Sequence, residues 1–395
     1  MGMLRPFSLM VLCMFLVLCP AAALALPESP AGSAPSLEPA LTSPDLSGVE
    51  DYINTLDAEI KEALPGFHFK EMVIKLVNGE LDLSPGEILK NLLSYLFREV
   101  VANSALLGKL VVLAVICVVL QNFSTAFDRG TTGQLTHMVT YLVLVTIAIG
   151  SFALAVQTGR EVVDKMVTFM QALMPVLLTL LVALGGVATA AIFHPVILVS
   201  ITLIGTLIKN LVLPLVFFSA VLGLVSHLSP RFKVSGLAGL LRGAAVGILG
   251  IMGTVFLGLL AVQGVAGAVG DGVILRTAKF SIDAFIPVVG GMFSDALEAV
   301  ISSSLLIKNA VGIAGVVAVV MIMTLPLVKL ISLAFIYKLA AALIQPVDDS
   351  QVVSCLSDLG NNIILIFATV ATVGLLFFFA IAIMVGVGNL TVMLR

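Results

Sequence analysis

The sequence predicts an all-α, polytopic membrane protein with an internally duplicated membrane domain and a small exported helical region at its amino end. Three observations carry that reading. Of 395 residues, 60% are hydrophobic and 11% charged, where soluble domains are roughly half apolar and a quarter charged; mean hydropathy is +1.18. The apolar residues fall in runs of about 20, the length a helix needs to cross a hydrocarbon layer of about 30 Å. Two proline-centred stretches recur at one fixed displacement along the chain.

At the amino terminus Arg5 precedes an apolar stretch from Phe7 to Leu18 and the small-residue sequence Ala23-Leu24-Ala25, the pattern of an export signal cut after Ala25. Residues 26–46 carry Pro27, Pro30, Pro35, Pro39 and Pro44 among Ser, Ala and Glu, a composition that buries too little to offset ordering entropy, and they read as a disordered leader. Residues 47–104 read as an exported amphipathic helical region. Ser47-Gly48-Val49-Glu50 has capping-box spacing, and Ser84-Pro85-Gly86-Glu87 is a second helix start with proline at the first helical position.

Membrane helices are expected at about 105–122, 136–156, 173–193, 196–226, 243–268, 310–344 and 361–388, with a weaker candidate at 285–307. Comparing the chain with itself pairs Met174-Pro175-Val176 with Ile286-Pro287-Val288, and Leu213-Pro214-Leu215-Val216 with the identical Leu325-Pro326-Leu327-Val328. Pro287 follows Pro175, and Pro326 follows Pro214, by the same 112 residues. The membrane domain then divides into a two-helix leading section, 105–156, and two repeat units, 169–268 and 281–388. In each unit a helix is expected to begin near Pro175 or Pro287, and a longer one to bend at Pro214 or Pro326, because proline removes a backbone donor and kinks the rod. The matching connectors differ in charge: 227–242 holds Arg231, Lys233 and Arg242, and 345–361 holds Asp348, Asp349 and Asp358. By the positive-inside rule the first belongs in the cytoplasm, and the second is free to lie outside, which would invert the units if 285–307 crosses. Exporting residues 26–104 conflicts with this count, since it leaves the basic connector outside; one segment must be re-entrant or miscounted, and 105–156, weakened by Lys109 and the polar run 128–134, is the suspect.

No phosphate loop, nucleophile elbow or metal-ligand spacing occurs, and His68, His137, His194 and His227 stand apart from one another. No enzyme and no cofactor is therefore expected, and a net charge of −3 gives no argument for nucleic acid. Charges within apolar spans are the functional candidates, because they are expensive in hydrocarbon. These are Lys209, Asp295, Glu298 and Lys329; Lys308, near an expected helix end, should snorkel to the surface. Asp295 and Glu298 share a helix face. None of the four has a charged counterpart in the other unit.

The runs Gly236-Leu237-Ala238-Gly239-Leu240-Leu241-Arg242-Gly243, Phe285-Ile286-Pro287-Val288-Val289-Gly290-Gly291 and Ala341-Ala342-Leu343-Ile344-Gln345-Pro346-Val347 resemble those of the stage III sporulation protein AE family of endospore-forming bacteria, and the resemblance extends from about residue 49 onward. It implies a protein of the mother-cell membrane around the forespore. It also implies work with other products of the same operon, including a secretion-type ATPase and ring-forming proteins, in a secretion or feeding channel that sustains late forespore gene expression. The alternative from the residues is a secondary transporter or permease that moves a small molecule or ion by rocking two repeat units.

Overall fold

The computed structural model describes residues 85–127, 131–228, 234–285, 290–346 and 351–393. The expected signal peptide, the leader and the exported region up to residue 84 lie outside the described residues. Among the described residues all regular structure is helical. Helix α1 (Pro85–Ala102) starts at the expected proline. Helix α2 (Ser104–Phe127) follows after a 51° bend. Asn103 sits at that bend and turns its amide back onto the Glu99 carbonyl at 2.9 Å, the local competition by which asparagine interrupts a helix.

Helix α3 (Thr131–Ala183) is a single rod of 53 residues, about 80 Å long. It joins the expected 136–156 helix to the first part of the expected 173–193 helix, so Pro175 lies inside a helix and does not begin one. The polar residues from Gln157 to Lys165, which read as a connector, are one face of this rod. The helix stops where glycine permits it. Gly185 has φ 88°, the Gly186 N–H donates to the Leu181 carbonyl at 3.0 Å, and the Gly185 N–H to Val182 at 2.8 Å; these are the paired bonds of a Schellman cap.

The chain returns through α4 (Val187–Leu207), a π-helical turn (Ile208–Val212) and α5 (Leu213–Leu228). Helices α6 (Ser235–Phe285), α7 (Gly290–Ile344) and α8 (Gln351–Met393) complete the bundle. The weak candidate at 285–307 and the helix at 310–344 are thus one helix, with Pro326 inside it. Among the described residues five stretches are long and apolar enough to cross a membrane: Tyr141–Ala183, Val187–Ser226, Ser235–Ile274, Ile301–Ile344 and Gln351–Asn389; the bent α1–α2 pair makes a sixth if it counts as one span.

Glycine contacts fix the directions of the helices. An added Cβ would meet Val385 at Gly312, Met323 at Gly374 and Lys338 at Gly360, so α7 and α8 run antiparallel along their shared length. Gly253 faces Leu376 and Gly264 faces Val387, so α6 and α8 run parallel, as do α3 and α8 through Gly159 against Ile366 and Met166 near Gly374. Helix α8 is the centre, with 61% of its span window buried, and α6 lies outermost, with 33%.

Two antiparallel helices, α6 and α7, stand between the end of α5 and the start of α8. The helix ends that flank the basic and acidic connectors therefore meet at one end of the bundle, and Arg242 and Asp358 are both close enough to act electrostatically on Lys338. The inverted arrangement expected from their opposite charges is not this structure's: the two stretches that contain Pro214 and Pro326 run in the same direction. Where two helices were expected across 136–156 and 173–183, the structure has one continuous rod.

Candidate functional site

Halfway along the bundle α3 meets the π turn. The Leu213 N–H donates to the Ile208 carbonyl, five residues back, and Pro214 has no N–H to give. The Lys209 carbonyl, four residues before Leu213 and five before Pro214, is left without a helical donor. Arg160 of α3 supplies one, its Nη2 lying 3.0 Å from that oxygen. One turn along α3, the Asp164 carboxylate pairs with the Lys209 ammonium, and Gln157 bonds Glu161 at 2.9 Å. A cleft of about 300 Å³ opens beside them, lined by Ala153, Val156, Gln157, Arg160 and Phe217.

Towards the α3–α4 turn two ionisable groups are wholly inside. Asp271 of α6 is 1% exposed; its carboxylate accepts the Ala188 N–H at 3.0 Å and the Thr189 N–H at 3.1 Å. Those are the second and third positions of α4, whose own flanking residue, Gly186, offers no side-chain cap. Asp271 thus caps a helix from another helix and suits the positive end of its dipole. Gly267 keeps the approach open, since a Cβ there would collide with Thr189.

Lys308 of α7 is 0% exposed and donates to the Met384 carbonyl of α8 at 2.9 Å. Gly388 leaves room for the ammonium, which occupies the place a Cβ would take. The expectation that Lys308 snorkels is overturned. It does not lie at a helix end, because 285–307 and 310–344 are continuous, and a buried ammonium is tolerable only when hydrogen-bonded.

At the opposite end a cleft of about 510 Å³ is lined by Lys338, Gln345, Ser354, Ser357 and Asp358, with Ala341, Ala342 and Val353. Lys338 donates to Asn361 Oδ1 at 2.7 Å and to Ser357 at 3.3 Å. Nearby, the Tyr337 hydroxyl is paired with Ser151 and donates to the Ala148 carbonyl at 3.2 Å, fastening α7 to α3.

Of the residues singled out in the sequence, Lys209 is in an ion pair beside Pro214, Lys329 is half-buried three residues beyond Pro326, and Asp295 and Glu298 lie on α7 with side chains outside the described residues. Arg160, Asp164, Asp271 and Lys308 carry the polar architecture; the first three were not among the candidates, and Lys308 was assigned to the surface. The first two read as connector residues, and Asp271 fell beyond the expected end of its helix at 268. Among the described residues no group of three His, Cys, Asp or Glu could hold a metal, and Cys117 and Cys355 are free and buried apart from each other in sequence.

Long apolar helices, tied together by charged side chains that bond backbone, define a polytopic helical membrane protein. Residues 67–388 match the family described as Stage III sporulation protein AE, and the chain is 45% identical over 347 residues, 88% of its length and 87% of the relative's, to "Stage III sporulation protein AE" of Bacillus subtilis (strain 168). This chain belongs to the stage III sporulation protein AE family. No solved structure matches it.

Proposed function

We propose that the chain is the membrane core of a mother-cell-to-forespore secretion or feeding channel complex, required for sporulation and late forespore gene expression and held in the mother-cell membrane around the forespore. The observation that carries this is its 45% identity to a relative named for stage III of sporulation. The site geometry supports a platform. Among the described residues the fully buried charges are engaged with backbone N–H and carbonyl groups of neighbouring helices, which fixes helices against one another. Its partners are the other stage III proteins of the operon, including a secretion-type ATPase and ring-forming proteins. The rocking permease has less support, because its two units run parallel and their prolines are braced differently. Cross-linking in sporulating cells should capture the ATPase and ring proteins. Recovery of the chain without them, with transport by the purified chain alone, would overturn this reading.

The topology belongs to the same proposal. With α3 and α4–α5 crossing in opposite directions, the start of α3 and the basic connector share one side of the membrane, and the positive-inside rule puts that side in the cytoplasm. Cysteines at Lys233 and Asp349 should then both resist an impermeant thiol reagent in intact cells, and labelling of either one breaks the topology.

A further inference from the structure

The apolar helices are longer than one bilayer is thick. The α3 span of 43 residues rises about 65 Å, against a hydrocarbon core of about 30 Å, and even a tilt of about 40°, the upper end seen for membrane helices, accommodates only about 26 residues. Part of the bundle must stand outside the hydrocarbon, and the charges differ between its halves.

On α3 an apolar stretch, Tyr141–Val156, is followed by Gln157, Arg160, Glu161, Asp164 and Lys165, and then by Met166–Ala183 with no charge. Arg160, Glu161 and Asp164 are exposed on the outer face of the bundle. Contacts place the other helices beside Met166–Ala183. Val167 faces Gly205 and Leu173 faces Gly315, Gln171 bonds Thr202 at 3.0 Å, and α6 and α8 reach the same level through Gly264 and Val387. This belt comprises 166–183 of α3, 187–207 of α4, about 253–271 of α6, 305–322 of α7 and 374–389 of α8. Its ionisable side chains are Asp271 and Lys308, both buried and bonded to backbone, and His194, whose imidazole carries no obligatory charge. Eighteen residues of α3 rise about 27 Å, close to one hydrocarbon thickness. In the other half Asp358 is exposed, and Lys338 and Arg242 are half-exposed, around the 510 Å³ cleft. Exposed charge in hydrocarbon costs several kcal/mol even on lenient scales.

We propose that the bilayer covers only the belt from Met166 to Ala183 and its neighbours. Arg160, Glu161, Asp164 and Lys165 lie at headgroup level, and the half that holds the Lys338–Asp358 cleft stands in water. Val143, Phe218, Val225 and Leu237, exposed in that half, then form a protein-facing surface. On the conduit reading partner subunits occupy it, but the experiment uses the chain without them and does not depend on that reading.

The chain contains no tryptophan, so a single inserted indole is an unobstructed depth probe. Full-length variants Ile192→Trp, Val199→Trp and Val262→Trp test the belt, and Val143→Trp, Val225→Trp and Leu237→Trp the other half; all six sites are exposed. In phosphatidylglycerol vesicles with brominated acyl chains, the first three should be quenched by bromine and spared by aqueous iodide, and the last three the reverse. Bromine quenching of both sets, iodide quenching of both, or the opposite assignment overturns the placement.

Discussion

Pro214 and Pro326 sit in identical Leu-Pro-Leu-Val sequences on helices that run in the same direction, yet the bundle supports them differently. At Pro214 the helix widens into a π turn, and an arginine from α3 takes the carbonyl that loses its donor. At Pro326 the chain stays α-helical. Thr324 bonds the Val320 carbonyl at 2.6 Å within its own helix, and Met323 packs into the space left by Gly374 of α8. A proline fixes where a helix loses a donor, but the neighbour decides the remedy. Near Pro214 the charged side chains of α3 reach the freed carbonyl and its lysine, whereas three residues before Pro326 Met323 packs closely on the central helix α8.

The largest expected effect comes from attacking the packed kink. Gly374→Val places methyl groups against Met323 and within reach of Met166, and overpacking of this kind costs about 1–3 kcal/mol. Gly223→Val on α5 is the control, since nothing lies within 4 Å of an added Cβ there. Thermal unfolding of the two variants in detergent should show a clear loss for the first and little change for the second; equal midpoints would mean that packing does not hold the Pro326 kink.

Next comes the polar kink. Arg160→Ala leaves the Lys209 carbonyl unpaired, and because Arg160 is exposed and water or headgroups partly replace it, a loss of about 1 kcal/mol is expected. The sharper measurement adds Pro214→Leu, which restores an N–H at position 214 five residues beyond that carbonyl. In the Pro214→Leu background Arg160→Ala should become nearly silent. Additive losses would show that the arginine serves something other than the proline.

Much of this was legible in the sequence. Helical class, apolar spans and the in-helix places of Pro214 and Pro326 follow from composition and periodicity, and the family from the resemblance of three short runs; Pro175 and Pro195, also inside helices, were placed at helix boundaries. Helix continuity did not. The run from Gln157 to Lys165 looks like a connector because charges interrupt the apolar pattern, and the groups that Arg160 and Asp164 bond lie 49 and 45 residues away on the returning chain. Lys308 was misplaced because Asp295 and Glu298 made 285–307 a weak and separate candidate, so a mid-helix lysine was taken for a terminal one. Asp271 had no sequence signal at all, because the group it caps is on α4, 82 and 83 residues earlier.

The smallest effect should come from the ion pair, and it sharpens the comparison most finely. Asp164 is 55% exposed and Lys209 28%, so the pair is largely solvated and worth about 0–1 kcal/mol. Its geometry nevertheless ties the lysine to the same two turns of α3 that carry Arg160, so the two contacts should be coupled. Asp164→Asn and Lys209→Met, made singly and together, should give a coupling of a few tenths of a kcal/mol that shrinks as salt is raised, since exposed charges are screened. Lys329, three residues beyond Pro326, provides the contrast. It stands by the packed kink, which Met323 and Thr324 support without charge, so Lys329→Met should show no salt-dependent change in stability. A salt-sensitive loss at Lys329 equal to that at Lys209 would mean that both kinks are electrostatically supported and would erase the distinction between them.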